Sequence, residues 1–185
     1  MASQWYIFIV AVTMLCCDQP ADLSSSLNTT SDHSYEIVQP GNLLVLSDAE
    51  KILGESAYMI DSTSQHNDDV TTTHLAYRAN AEDSHSKKTG VVYFLLEEYQ
   101  DLAEAQKKYK FIKEANEAHG IEVRKDLGDE AYFYSDRENF YFIIVRKGKK
   151  VFNMKVNKIT STTSLDKFNL IAKKVLLLSK LCSIN

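Results

Sequence analysis

Three aromatic-rich runs follow one another almost without interruption: Glu130–Ser135 (EAYFYS), Asn139–Lys147 (NFYFIIVRK) and Lys150–Ile159 (KVFNMKVNKI). Aromatic and β-branched side chains favour pleated, half-buried surfaces. The connections, around Asp136-Arg137-Glu138 and Lys147-Gly148-Lys149, are too short for a crossover, so neighbouring strands must run antiparallel. In the third run Val151, Asn153, Lys155 and Asn157 alternate with Phe152, Met154 and Val156. That period predicts a sheet with one buried and one wet face.

The rest of the chain extends this meander. Residues 70–79 (VTTTHLAYRA) and 90–99 (GVVYFLLEEY) read as two more strands, joined by the polar loop NAEDSHSKKTG. Tyr35–Val38 reads as a short first strand. Ser47 and Glu50 have capping-box spacing at the start of a short helix, with Leu46, Ala49, Ile52 and Leu53 on its apolar face and Gly54 as its stop. Residues 101–120 predict a long helix along Leu102, Ala105, Tyr109, Ile112 and Ala115, closed by His119-Gly120. Ser164 caps a last helix whose stripe is Leu165, Phe168, Ala172, Val175 and Leu178, with Lys167, Lys173, Lys174 and Lys180 opposite. The expected element order is α-ββ-α-βββ-α. This is an α+β domain, a single antiparallel sheet of about five or six strands with helices packed on it. It occupies residues 41–185, and the chain shows no internal repeat.

Ahead of the domain lie two different segments. Trp5–Cys17 (WYIFIVAVTMLCC) is continuously apolar but short of the roughly 20 residues a membrane-spanning helix needs. It suits the apolar region of a secretory signal, here residues 1–17, although Lys51 is the first basic residue of the chain. Residues 18–40 are rich in Ser, Thr, Asp and Asn and read as a flexible tether. About 18 such residues reach roughly 20–25 Å. The leader resembles that of a bacterial lipoprotein, in which an apolar segment ends directly before a cysteine that receives lipid. Cys17 is the lipid-attachment candidate, because Cys16 then stands where a small residue is wanted. An ordinary cleaved signal is the alternative, and Asn28-Thr29-Thr30 would then be a glycosylation sequon. Cys182 reads as a packed thiol, since free cysteine behaves as a small hydrophobe.

Charge is divided unevenly. Residues 1–140 carry 11 Lys/Arg against 24 Asp/Glu, whereas residues 141–185 carry 10 Lys/Arg against Asp166 alone. Either the basic end folds against the acidic remainder, or it presents a surface to an anionic partner. Its sharpest feature is the hairpin Arg146, Lys147, Lys149 and Lys150, a candidate anion-binding patch for an anionic surface or an acidic protein. The alternative reading of the same lysines is an edge device against sheet-to-sheet aggregation. Nucleic acid is not expected, because no aromatic-basic reader motif is present and the overall balance is acidic.

Catalytic signatures are missing from the sequence: no phosphate-binding glycine loop, no His-Glu-x-x-His, no Gly-x-Ser-x-Gly and no Cys-x-x-Cys. Two loops combine histidine with carboxylates, His66 with Asp68 and Asp69, and His85 with Glu82 and Asp83. Their spacing matches no closed metal site. No cofactor is implied. The element order and the piece Leu127-Gly128-Asp129-Glu130-Ala131-Tyr132-Phe133 resemble a group of small bacterial lipoproteins of unknown function with a Mog1/PsbP-like α+β domain. That resemblance implies no catalytic residues. The expectation is therefore an exported, lipid-anchored, non-enzymatic binding or accessory domain. The alternative is a small exported enzyme with dispersed site residues such as Asp129, Glu130 and His74.

Overall fold

Side-chain alternation along the strands decides which helix covers which face of the sheet. The computed structural model describes residues 42–181. In chain order the elements are α1 (Leu46–Leu53), β1 (Ala57–Asn67), β2 (Val70–Ala79), β3 (Val91–Tyr99), α2 (Leu102–Asn116), β4 (Glu122–Val123), β5 (Glu130–Ser135), β6 (Phe140–Lys147), β7 (Lys150–Asn157) and α3 (Leu165–Leu181). The chain is α+β, with one antiparallel sheet of seven strands in the order β1-β2-β3-β7-β6-β5-β4 and three helices. Two meanders meet at the β3–β7 seam, where Phe94 pairs with Met154 and Leu96 with Phe152. The element order differs from expectation by two strands, β1 and the short β4. The expected strand at Tyr35–Val38, the leader and the tether lie outside the described residues.

One face carries the main core. Leu75 and Tyr77 of β2, Phe94 and Leu96 of β3, Phe152 and Met154 of β7 and Ile143 of β6 pack under Ile52 and Leu53 of α1 and Phe168, Ile171 and Val175 of α3. The opposite face was expected to be wet. Instead α2 crosses it, setting Ala105 and Tyr109 on Tyr132, Ile144 and Val151. The connection from β3 to β4 has to cross one face of the sheet, and α1 and α3 already occupy the other. Ala115 and Leu102, expected on the buried stripe of α2, are exposed.

The helix ends follow local chemistry. Ser164 Oγ accepts the N–H of Lys167 at the start of α3, as its position predicts. At α1 the cap is not Ser47. The helix begins at Leu46, and the Asp48 carboxylate accepts the Val45 N–H at 3.3 Å, while Glu50 reaches the Ala57 N–H instead. Gly54 ends α1 in the left-handed region, at φ 74°. A side chain there would collide with the Thr162 carbonyl, so glycine is required twice over.

Candidate functional site

Strand register determines what the basic hairpin does. Arg146 is a strand residue, directly opposite Glu130 across the β5–β6 pair. Its guanidinium donates from Nε to Glu130 (2.6 Å), and from Nη1 to Asp129 (3.1 Å) and the Gly148 carbonyl (3.1 Å). It is 6 % exposed. Lys147 donates to Asp129, which also accepts the Gly148 N–H at 2.8 Å. Lys150 stands opposite Glu98 on β3 and pairs with it at 3.0 Å. Of the four basic residues, Lys149 alone has no ion partner among the described residues. The expected row of free charges is thus largely a set of internal ion pairs. The cause is register: carboxylates distant in sequence are placed opposite each cation.

The Asp129 carboxylate does not bond its own turn. It reaches across to the β6–β7 turn instead, because Gly128 lets the two backbones approach. A Cβ at Gly128 would lie 2.5 Å from the Arg146 carbonyl oxygen. Burial works to raise the Asp129 pKa, but hydrogen bonds from Lys147 and Gly148 and the charges of Lys147 and Arg146 outweigh it. The carboxyl is held below its ordinary value.

Beside this cluster a cleft of about 450 Å³ opens between α2 and the sheet, lined by Tyr109, Lys110, Lys113, Glu114, Glu130 and Arg146 among others. Glu114 pairs with Lys110, and Glu130 with Arg146. Burial first, then the charge of Glu130, pushes the Tyr109 hydroxyl up to about 12, and burial does the same for Tyr132. Tyr132 donates to the Ile112 carbonyl and accepts from Asn116, so it fastens α2 to the sheet. His74 is exposed on β2. Four strand positions separate β2 from β5, about 19 Å at the usual spacing. The fold therefore does not bring His74 together with Asp129 and Glu130.

The two histidine loops resolve differently. His66 lies at the end of β1, with Nδ1 2.8 Å from Thr71 Oγ1, and Asp68-Asp69 form the tight turn into β2. Asp83 is a staple. It accepts from Ser86 Oγ (2.6 Å) and from both the hydroxyl and N–H of Ser161, which lowers its pKa. Among the described residues no three His, Cys, Asp or Glu side chains converge as a metal cluster would.

A second concavity was not foreseen. A groove of about 570 Å³ runs between α1 and α3, floored by Ile171 and Leu178 and edged by Leu170 and Leu177. Lys51, Lys167, Lys173 and Lys174 surround it. At its base Asp48, only 2 % exposed, accepts from Lys174 and joins the two helices. Lys173 pairs with Asp126 at 2.8 Å. Two signals in the sequence point to this face: the leucines at Leu170 and Leu177 fall outside the buried stripe of α3, and lysines flank them.

Cys17 lies outside the described residues, as do Cys16 and Cys182. No protein-family model, no curated protein and no solved structure matches the chain.

Proposed function

We propose that this chain is an exported, lipid-anchored protein of the cell envelope whose folded domain binds or positions a partner and carries out no reaction of its own. The observation that carries this reading is the use of its charged groups. The carboxylates that a catalytic site would draw on, Asp129 and Glu130, are fixed by Arg146 and Lys147 as cross-strand ties. A general base or acid must reach substrate and exchange a proton near working pH. Asp129, held ionised by Lys147 and Arg146, does neither readily, and Glu130 is tied to Arg146. His74, the remaining candidate, is several strands away.

The address rests on the sequence: an apolar leader ending in Cys16-Cys17, then a polar tether. The likeness to Mog1/PsbP-like lipoproteins belongs to the same proposal. Its support is the turn at Gly128-Asp129 leading into an aromatic meander and a closing helix, on an antiparallel sheet. The test is Cys17→Ser in the full chain, followed by fractionation of the producing cells. The lipid-anchor reading expects loss of membrane retention, with the protein appearing in the soluble exported fraction or as uncleaved precursor. Unchanged membrane retention of a correctly processed Cys17→Ser chain would reject Cys17 as the anchor.

A further inference from the structure

We infer that the outward face of α3, with the adjoining groove to α1, is a docking surface for an anionic lipid bilayer. The membrane in question is the one supplied by the anchored reading above, and the two ideas fail separately in the tests below. Leu170 and Leu177 are 59 % and 61 % exposed. Seven helical residues bring them about 20° from eclipsed and about 10 Å apart along the axis. They therefore form one continuous apolar ridge. Lys167 and Lys174 lie about 60° to one side of that ridge and Lys173 about 60° to the other. Lys51 of α1 flanks the groove behind it. Asp166 is the one acid on this outward face of α3. Asp48 and Asp126 are already neutralised by Lys174 and Lys173, and Lys51 and Lys167 have no ion partner among the described residues.

Leucines bordered on both flanks by lysines are what an interfacial helix presents to a membrane. The apolar ridge enters the headgroup boundary with the lysine stems along it, and the unpaired ammonium groups of Lys167 and Lys51 lie among the anionic headgroups. Charge complementarity selects this occupant over a second copy, because a two-fold contact would set one row of lysines against another. The ridge also protrudes, whereas a pocket for a single acyl chain would enclose its leucines. A single lipid chain gives only marginal attachment, so a second, charge-dependent contact would add materially to membrane residence.

The test uses the full chain. The sequence has one tryptophan, Trp5, in the leader. Trp5→Phe with Leu177→Trp places the only indole on the ridge, and Leu170→Trp is a second variant should the first fail to fold. Vesicles of phosphatidylcholine, with and without phosphatidylglycerol, carry brominated acyl chains as quenchers. The expected result is a blue-shifted, bromine-quenched indole on the anionic vesicles, weak on the zwitterionic ones and reversed by 1 M salt. Each lysine near an anionic surface contributes about fivefold to binding, so Lys51→Gln with Lys167→Gln should raise the lipid needed for half-maximal quenching about 30-fold. An indole that stays in water, or responds equally to both lipids, overturns the inference. So does a blue shift without lipid that grows with protein concentration, which assigns the face to a second copy. A response to an acidic amphipathic peptide but not to vesicles overturns it in favour of a protein partner. Membrane retention of Cys17→Ser with the vesicle response intact removes the anchor and leaves this face standing.

Discussion

Arg146 joins two turns that the sequence separates by nearly twenty residues. Its guanidinium ties Asp129, Glu130 and the Gly148 carbonyl into one unit. Removing one partner of a fully buried pair costs about 3–5 kcal/mol. Asp129 and Glu130 remain about one third and nearly one half exposed, so water takes up much of the loss. Arg146→Met, which keeps the stem, should cost about 1–2 kcal/mol, read as a lower urea midpoint with an unchanged slope. Asp136 gives a pH prediction. Burial works to raise its pKa, but the backbone and side-chain N–H groups of Asn139 and the N–H groups of Glu138 and Phe140 bring it down to about 2. A depressed carboxylate pKa stabilises the fold above the unfolded value near 4 and ceases to do so as pH falls through the folded value. Stability should therefore decline between about pH 4 and pH 2. Asp136→Asn, which keeps one acceptor oxygen but cannot ionise, should lower the midpoint at pH 7 and flatten that decline, so that the two proteins converge near pH 2. Equal acid sensitivity in the two proteins would remove Asp136 from the account. At this scale the sequence was half legible. Ser164 as a cap could be read from its neighbours, but the partners of Arg146 and Lys150 could not, because register across non-local strands selects them.

At the scale of the element, α3 was the most legible and β1 the least. Of the stripe expected on α3, Phe168, Ala172 and Val175 are fully enclosed, Leu178 is partly buried and Leu165 at the first turn is exposed. Phe168 also meets Phe133 edge-on and Tyr141 at a tilt, with ring centres about 6 Å apart. Phe168→Ala should cost about 3–5 kcal/mol through the lost transfer energy and the cavity left behind. A denaturation midpoint that does not move would place this side chain off the sheet. In contrast, β1 (AYMIDSTSQHN) buries only Ala57. It is an edge strand hydrogen-bonded to β2 alone, with water on both faces along most of its length. Hydrophobic period, the main signal for a strand, has nothing to report there. The two-residue β4 was invisible for a simpler reason, its length. The cover that α2 gives to the second face was also hidden, because Ala105 and Tyr109 are a narrow stripe on a largely polar helix.

For the whole molecule, the uneven charge of the sequence finds its explanation in the topology. Five basic residues from the last quarter of the chain pair with the acidic remainder: Arg146 with Asp129 and Glu130, Lys147 with Asp129, Lys150 with Glu98, Lys173 with Asp126 and Lys174 with Asp48. The basic end folds against the acidic part, which was one of the two readings the composition left open. Among the described residues the cations without an ion partner include Lys149 on the hairpin, Lys155 and Lys158 at the end of β7, and Lys51 and Lys167 beside the α3 ridge. The proposed role follows from that residue of charge, together with the apolar leader and the tether: a domain held at a membrane that contacts a surface or partner without transforming it. The most direct test is the intact mass of the mature protein isolated from the envelope of the cells that make it. The account predicts a chain beginning at Cys17 and carrying the added mass of a lipid. An unmodified Cys17, or a mature chain that still contains residues 1–16, would contradict it.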